Sequence, residues 1–241
     1  MSKLPILVIF ILFALTDAAL AQTRVFDCEL SAYLSAREGS ELLAKAQSAY
    51  AGIKTVKADF EQHSFMAALE SSEMSSGEVY FQKPGMMKWH YRQPDEQMFV
   101  VRDETLWFYQ VAEHQVLIDS LKKVVLTDLP VAFLMGIGDL LRDFRLDKAC
   151  RNSDGYVFEL SQKSGTGEMK AFRLLTEFSS LLPKGAQVTD VGGNVTAVIL
   201  GQTRFNPELS PDAFSSRFGS GLDIIDRRQG ASQPDKGARN E

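Results

Sequence analysis

The 241-residue sequence predicts a mainly β fold of the α+β kind, with about ten or eleven antiparallel strands, one N-terminal helix and a helical insertion. Three observations predict it. Polarity alternates with period two through most of the chain from Val56 onward, and helical spacing is confined to two places. The turns between alternating segments are also too short for the crossover that parallel neighbours need.

The chain opens with MSKLPILVIFILFALTDAALAQ, in which Lys3 precedes an apolar run from Leu4 to Leu15 and Ala19-Leu20-Ala21 precede Gln22. That order is the one a secretory signal shows, so residues 1–21 are expected to be removed on export. The run falls short of the roughly 20 residues that span a bilayer. Asp27 directly before Cys28 fits a lipidation site badly. Export places Cys28 and Cys150, the only cysteines, in an oxidising compartment, where pairing is expected and two free thiols are the alternative. CxxC spacing is absent.

SELLAKAQSAYAGIK, residues 40–54, reads as an amphipathic helix with Leu42, Leu43, Ala46, Ala49, Tyr50 and Ile53 at three- and four-residue spacing. Ser40 is placed to cap it and Glu41 lies in its first turn. The alternating segments VKADFEQHSF, SGEVYFQ, MMKWHYRQ, EQMFVVR, TLWFYQ and HQVLID follow, parted by turns such as Lys83-Pro84-Gly85 and Gln93-Pro94-Asp95. DLPVAFLMGIGDLLRDF lacks alternation and reads as two short helices inserted in the sheet. Strand patterns resume with FRLDKAC, YVFELSQ, KAFRLLTEF, KGAQVTDV and VTAVILGQTRF, and NPELSPDAFSSRF is turn-rich. A globular domain over 22–226 and a disordered tail over 227–241 are the expected boundaries.

A sheet of this size must bury one face, and the helices are scant cover for it. Either the sheet closes into a barrel, or it stays open and encloses a space under a helical lid. Alternation assigns Val79, Phe81, Met87, Trp89 and Tyr91 to the inner face. These side chains are large, aromatic or adaptable, which suits either core or the wall of an apolar pocket. In TLWFYQ both faces are apolar, so alternation does not assign a side to Leu106 and Phe108.

Other chemistry finds little support. A net charge of −5 with mixed signs supplies no basic stripe for nucleic acid. His63, His90 and His114 lack metal-ligand spacing, and no GxSxG elbow or P-loop occurs, so no catalytic residue, metal or cofactor is expected.

Taken in order, KADFEQ (57–62), GEVYFQKPGMMKWHY (77–91), QPDEQ (93–97), LWFY (106–109), HQV (114–116) and PVAFLMG (130–136) resemble the LolA family, periplasmic carriers of outer-membrane lipoproteins in Gram-negative bacteria. The resemblance covers roughly residues 40–226. It implies an unclosed antiparallel β-barrel whose N-terminal helix and short helices form a lid over an apolar cavity for acyl chains. It implies as partners acylated lipoproteins, an inner-membrane lipoprotein-releasing ABC transporter and, where one exists, an outer-membrane lipoprotein receptor, with the carrier itself a monomer in the periplasm. By position, the cavity falls on Phe60, Val79, Phe81, Met87, Trp89, Tyr91, Leu106 and Phe108. The lid falls on Leu43, Val131, Phe133, Leu134 and Met135, and the basic residue that latches it on Lys83, where the family's best-studied members carry arginine. Lysine keeps the charge and loses the planar fork, so the resemblance implies a looser latch. An envelope regulator that senses lipid or lipoprotein, and a carrier of another envelope lipid, are the alternatives.

Overall fold

The computed structural model describes residues 24–121, 139–164 and 169–228. Twelve strands form one sheet: β1 (Thr55–Met66), β2 (Ser71–Gln82), β3 (Met86–Gln93), β4 (Gln97–Arg102), β5 (Thr105–Gln110), β6 (Gln115–Ser120), β7 (Phe144–Arg151), β8 (Tyr156–Gln162), β9 (Met169–Thr176), β10 (Pro183–Asp190), β11 (Val195–Phe205) and β12 (Asp223–Asp226). Their order is β12-β6-β5-β4-β3-β2-β1-β11-β10-β9-β8-β7, so β12 and β7 are the outermost strands, β7 meeting only an isolated bridge from Tyr33 to Cys150, and the barrel is unclosed. Every pairing is antiparallel except β12 on β6, which is parallel.

Three features differ from the expectations. The helix α1 (Ala36–Ala51) begins four residues before the predicted start, capped by Ser35 rather than Ser40. Ser35 and Glu38 form a reciprocal capping box, which satisfies two donors that a cap at Ser40 would leave to water. Strand β2 reaches back to Ser71 through SSEMSS, a stretch with no apolar alternation, because β1 supplies a partner for every residue down to Met66↔Ser71. The twelfth strand, DIID, is too short and too acidic to announce itself. It exists because the edge of β6 is open to the returning chain, Ile225 pairing with Leu117.

The sheet buries both of its faces, unequally. Its inner face carries the large cluster that includes Phe60, Phe81, Trp89, Phe158, Phe172 and Leu174, and α1 lies on it through Leu43, Ala46 and Tyr50. A short helix α2 (Leu140–Asp143) packs beside α1, where Leu140 N–H donates to Gln47 Oε1 at 3.0 Å. On the outer face the N-terminal lead lays Phe26 against Val157, Leu175 and Ala197. A disulfide joins Cys28 of that lead to Cys150 on β7, with Cα atoms 6.1 Å apart. The segment after β11 crosses the other half of the outer face, bringing a short 3₁₀ turn (Pro211–Phe214) onto β3 and β4 and Phe218 to 4.9 Å from the Tyr109 ring. Arg227 N–H donates to Ile118 O at 2.7 Å, so ordered chain continues just past β12.

Candidate functional site

Register places the inner-face side chains of β1–β6 in rungs that run across the strands. One rung is Val56, Phe81, Met87, Val101 and Leu106; the next is Ala58, Val79, Trp89, Phe99 and Phe108. A third begins with Phe60, Gly77 and Tyr91. The eight residues singled out from the sequence as the acyl-binding wall therefore share one face and lie on four strands, β1, β2, β3 and β5. Leu106 and Phe108 point inward, while Trp107 and Tyr109 point outward. Alternation could not assign that strand because the C-terminal segment buries its outer face as well.

These side chains touch one another. The Phe60 ring meets Trp89 at 4.5 Å and Tyr91 at 4.9 Å, both edge to face. Phe99 bridges outward, 5.8 Å from Tyr91 and stacked 4.2 Å over Phe108. Trp89 Nε1 donates to Met87 Sδ at 3.1 Å, so the indole N–H is satisfied inside the layer. Val79 and Phe81 are 0% and 1% exposed, whereas Tyr91 and Phe108 are half-buried. The layer is thus closed at its middle and opens toward the β4–β6 side.

Phe99 and Val101 belong to this wall and escaped the sequence reading. In EQMFVVR both sets of alternate residues are apolar, because Val100 is buried on the outer face. The residue that betrays the side is Gln97, in register with Tyr91.

Lys83 sits in the β2–β3 turn at the end of the first rung. Its Nζ donates to Tyr50 O at 2.7 Å and lies 3.6 Å from the Tyr50 ring centroid. Tyr50 O belongs to the last turn of α1, the end of the helix that carries partial negative charge. Burial pushes the Lys83 ammonium below its ordinary pKa and the Tyr50 phenol above its own. Lys83 therefore clamps the C-terminal end of α1 to the sheet. Leu43, assigned to the lid, is buried under the same helix. Val131, Phe133, Leu134 and Met135 lie outside the described residues.

The charged side chains of β2 and β3 beside the aromatic layer, Glu78, Lys88 and His90, are turned outward. Arg92 pairs with Glu78 at 2.9 Å and His90 with Glu96 at 2.8 Å, both on the outer face. On β3–β6 the one charged inner-face residue is Asp119. Among the described residues no cluster of metal-ligating side chains occurs and no helix is long and apolar enough to cross a membrane.

The family model described as outer membrane lipoprotein carrier protein LolA matches residues 51–217. The chain belongs to the LolA family. The match takes in β1 to β11 and both ends of the aromatic layer, while Cys28 and all of α1 but Ala51 precede it. An outer-membrane lipoprotein carrier protein of Chromobacterium violaceum is 28% identical over 81% of this chain and 93% of its own length. One of Legionella pneumophila is 30% identical over 74% and 87% respectively. Among solved structures, an uncharacterised conserved protein of Thermus thermophilus superposes with a TM-score of 0.51 at 14% identity, covering 79% of this chain and 99% of that one. That likeness concerns the fold.

Proposed function

We propose that this chain is a periplasmic carrier that hides the acyl chains of lipoproteins against the inner face of its sheet and moves them from the inner to the outer membrane. Membership of the LolA family supports the reading, as do relatives named outer-membrane lipoprotein carrier proteins. The observation that carries it is the continuous layer of aromatic and methionine side chains on the inner face, from Phe60 through Trp89 to Phe108, whose core cluster α1 joins through Leu43 and Tyr50.

The energetics suit a carrier. Burying one long acyl chain is worth on the order of 10 kcal/mol, at about 0.8 per methylene. The clamp that must yield to admit it is one charge-assisted hydrogen bond and one cation–π contact, together worth about 2 to 5 kcal/mol. Cargo therefore outweighs the Lys83–Tyr50 contact, and α1 parts from the sheet to expose Trp89 and Phe60. Release follows when the next acceptor binds the cargo more favourably. The donor would be an inner-membrane lipoprotein-releasing ABC transporter and the acceptor an outer-membrane lipoprotein receptor or the membrane itself.

Incubating the mature protein with spheroplasts and identifying what it removes tests this. Release of triacylated lipoproteins in a one-to-one complex is the expected result. A folded protein that releases nothing acylated ends the carrier reading.

A further inference from the structure

The inner face does not remain apolar along its whole length. One side-chain repeat beyond Trp89, Phe99 and Phe108, the third rung continues from Tyr91 to Gln97, Gln110 and Gln115 on three successive strands. From the next position on β1, Gln62 accepts a hydrogen bond from the Tyr91 hydroxyl at 2.9 Å. At Gly77 a Cβ would lie 1.9 Å from His90 O, so β2 contributes no side chain to this rung. With strands about 4.8 Å apart, the row from Tyr91 to Gln115 extends about 14 Å, and it lies about 7 Å along the strands from the aromatic rung.

This row has a definite chemistry. Gln115 donates to Asp223 at 3.2 Å, whereas the side-chain amides of Gln97 and Gln110 make no hydrogen bond to another described residue. Tyr91, Gln97, Gln110 and Gln115 are half-buried, and no lysine or arginine occupies the inner face of β3–β6. Primary amides donate to ester and amide carbonyls and accept from peptide N–H groups. They cannot compensate a desolvated phosphate as a cation would.

We infer that this amide row is a head-group subsite that takes the neutral ester- and amide-bearing portion of an acylated peptide and discriminates against anionic phospholipid. The inference rests on the carrier reading above and specifies its selectivity. Acyl chains lie along the aromatic rungs, and the carbonyls at their root fall one repeat further on, against Gln97 and Gln110. A hydrophobic wall alone would accept any lipid of the right length. The amide row makes the root of the chain matter.

The test uses the mature protein and displacement of a fluorescent acyl probe by three competitors: a dipalmitoylated cysteinyl peptide, palmitoyl-oleoyl phosphatidylglycerol and hexadecanol. Wild type is expected to prefer the acyl-peptide over phosphatidylglycerol. The double variant Gln97→Leu/Gln110→Leu should bind the acyl-peptide about tenfold more weakly, the loss of two neutral hydrogen bonds, with hexadecanol unchanged. Gln97→Met, close in shape, should show a smaller loss with the same pattern and serves if the double variant melts early. Equal weakening for hexadecanol, no change for the acyl-peptide, or a wild-type preference for phosphatidylglycerol overturns the subsite while leaving an acyl carrier. Failure of all three competitors to displace the probe overturns the carrier reading itself.

Discussion

Lys83 shows how much one side chain can decide. A shorter or neutral residue there leaves the Tyr50 carbonyl with its backbone donor, the Ile53 N–H, but without the charged one, and leaves the ring without its cation. Lys83→Met is expected to lower stability by about 1 to 3 kcal/mol in urea unfolding and to speed uptake of an acyl probe, since the same contact resists separation of α1. Unchanged uptake with lowered stability would make Lys83 a structural tie only. Trp89 is 5% exposed and touches both Phe60 and Phe81. Trp89→Ala should cost about 3 to 5 kcal/mol, and a cost below 1 would mean that the layer is loosely filled.

His63 sits 5% exposed on the outer face of β1, across from Met74 and Ala197, and its Nε2 has no partner among the described residues. Burial holds its pKa below the ordinary 6.5, with the neighbouring Glu61 working the other way. The folded state thus binds its proton less readily than the unfolded chain. Its contribution to stability is full above about pH 6.5 and is lost as pH falls from there toward the lowered folded value. His63→Leu should flatten the decline in urea midpoint between pH 7 and pH 5, and an unchanged slope would assign the decline to other groups.

Elements begin and end where local chemistry and neighbours agree. The capping box at Ser35 and Glu38 stands in the sequence as S-x-x-E, but the apolar helical spacing begins only at Leu42 and Leu43 and so points to a start four residues later. Ser35→Ala should lower stability by about 1 kcal/mol, and Ser40→Ala by much less, because the Ser40 hydroxyl donates only to Ala36 O within an exposed turn. Equal effects in thermal unfolding would refute that assignment of the cap. Strands β3, β5, β8 and β11 matched their alternating segments from end to end. Alternation was sufficient there because turns closed both ends. It failed for the start of β2 and for β12, whose residues gain their extended state from a partner strand rather than from their own preference.

Across the whole molecule, the described segments before α1 and after β11 act as covers for the outer face. The lead before α1 is held to β7 by the Cys28–Cys150 disulfide, which bridges a sequence separation of 122, and it buries Phe26 over Val157 and Leu175. Cys28→Ser/Cys150→Ser should lower stability by about 2 to 4 kcal/mol without altering acyl binding on the opposite face. Loss of binding in the folded variant would show that the two faces are coupled.

Period-two alternation, short turns and one amphipathic helix were enough to establish an antiparallel sheet with a helical cover, because they follow from backbone geometry and from which residues prefer water. The same alternation, where one face only was apolar, assigned Val79, Phe81, Met87, Trp89 and Tyr91 to the inside. It could not sort β4 and β5, since both of their faces are covered. Their sides became clear once the C-terminal segment was seen to lie on the outer one. The row of glutamines on β4, β5 and β6 was equally hidden. Gln97, Gln110 and Gln115 each read as an ordinary strand end, and only pairing register brings them side by side.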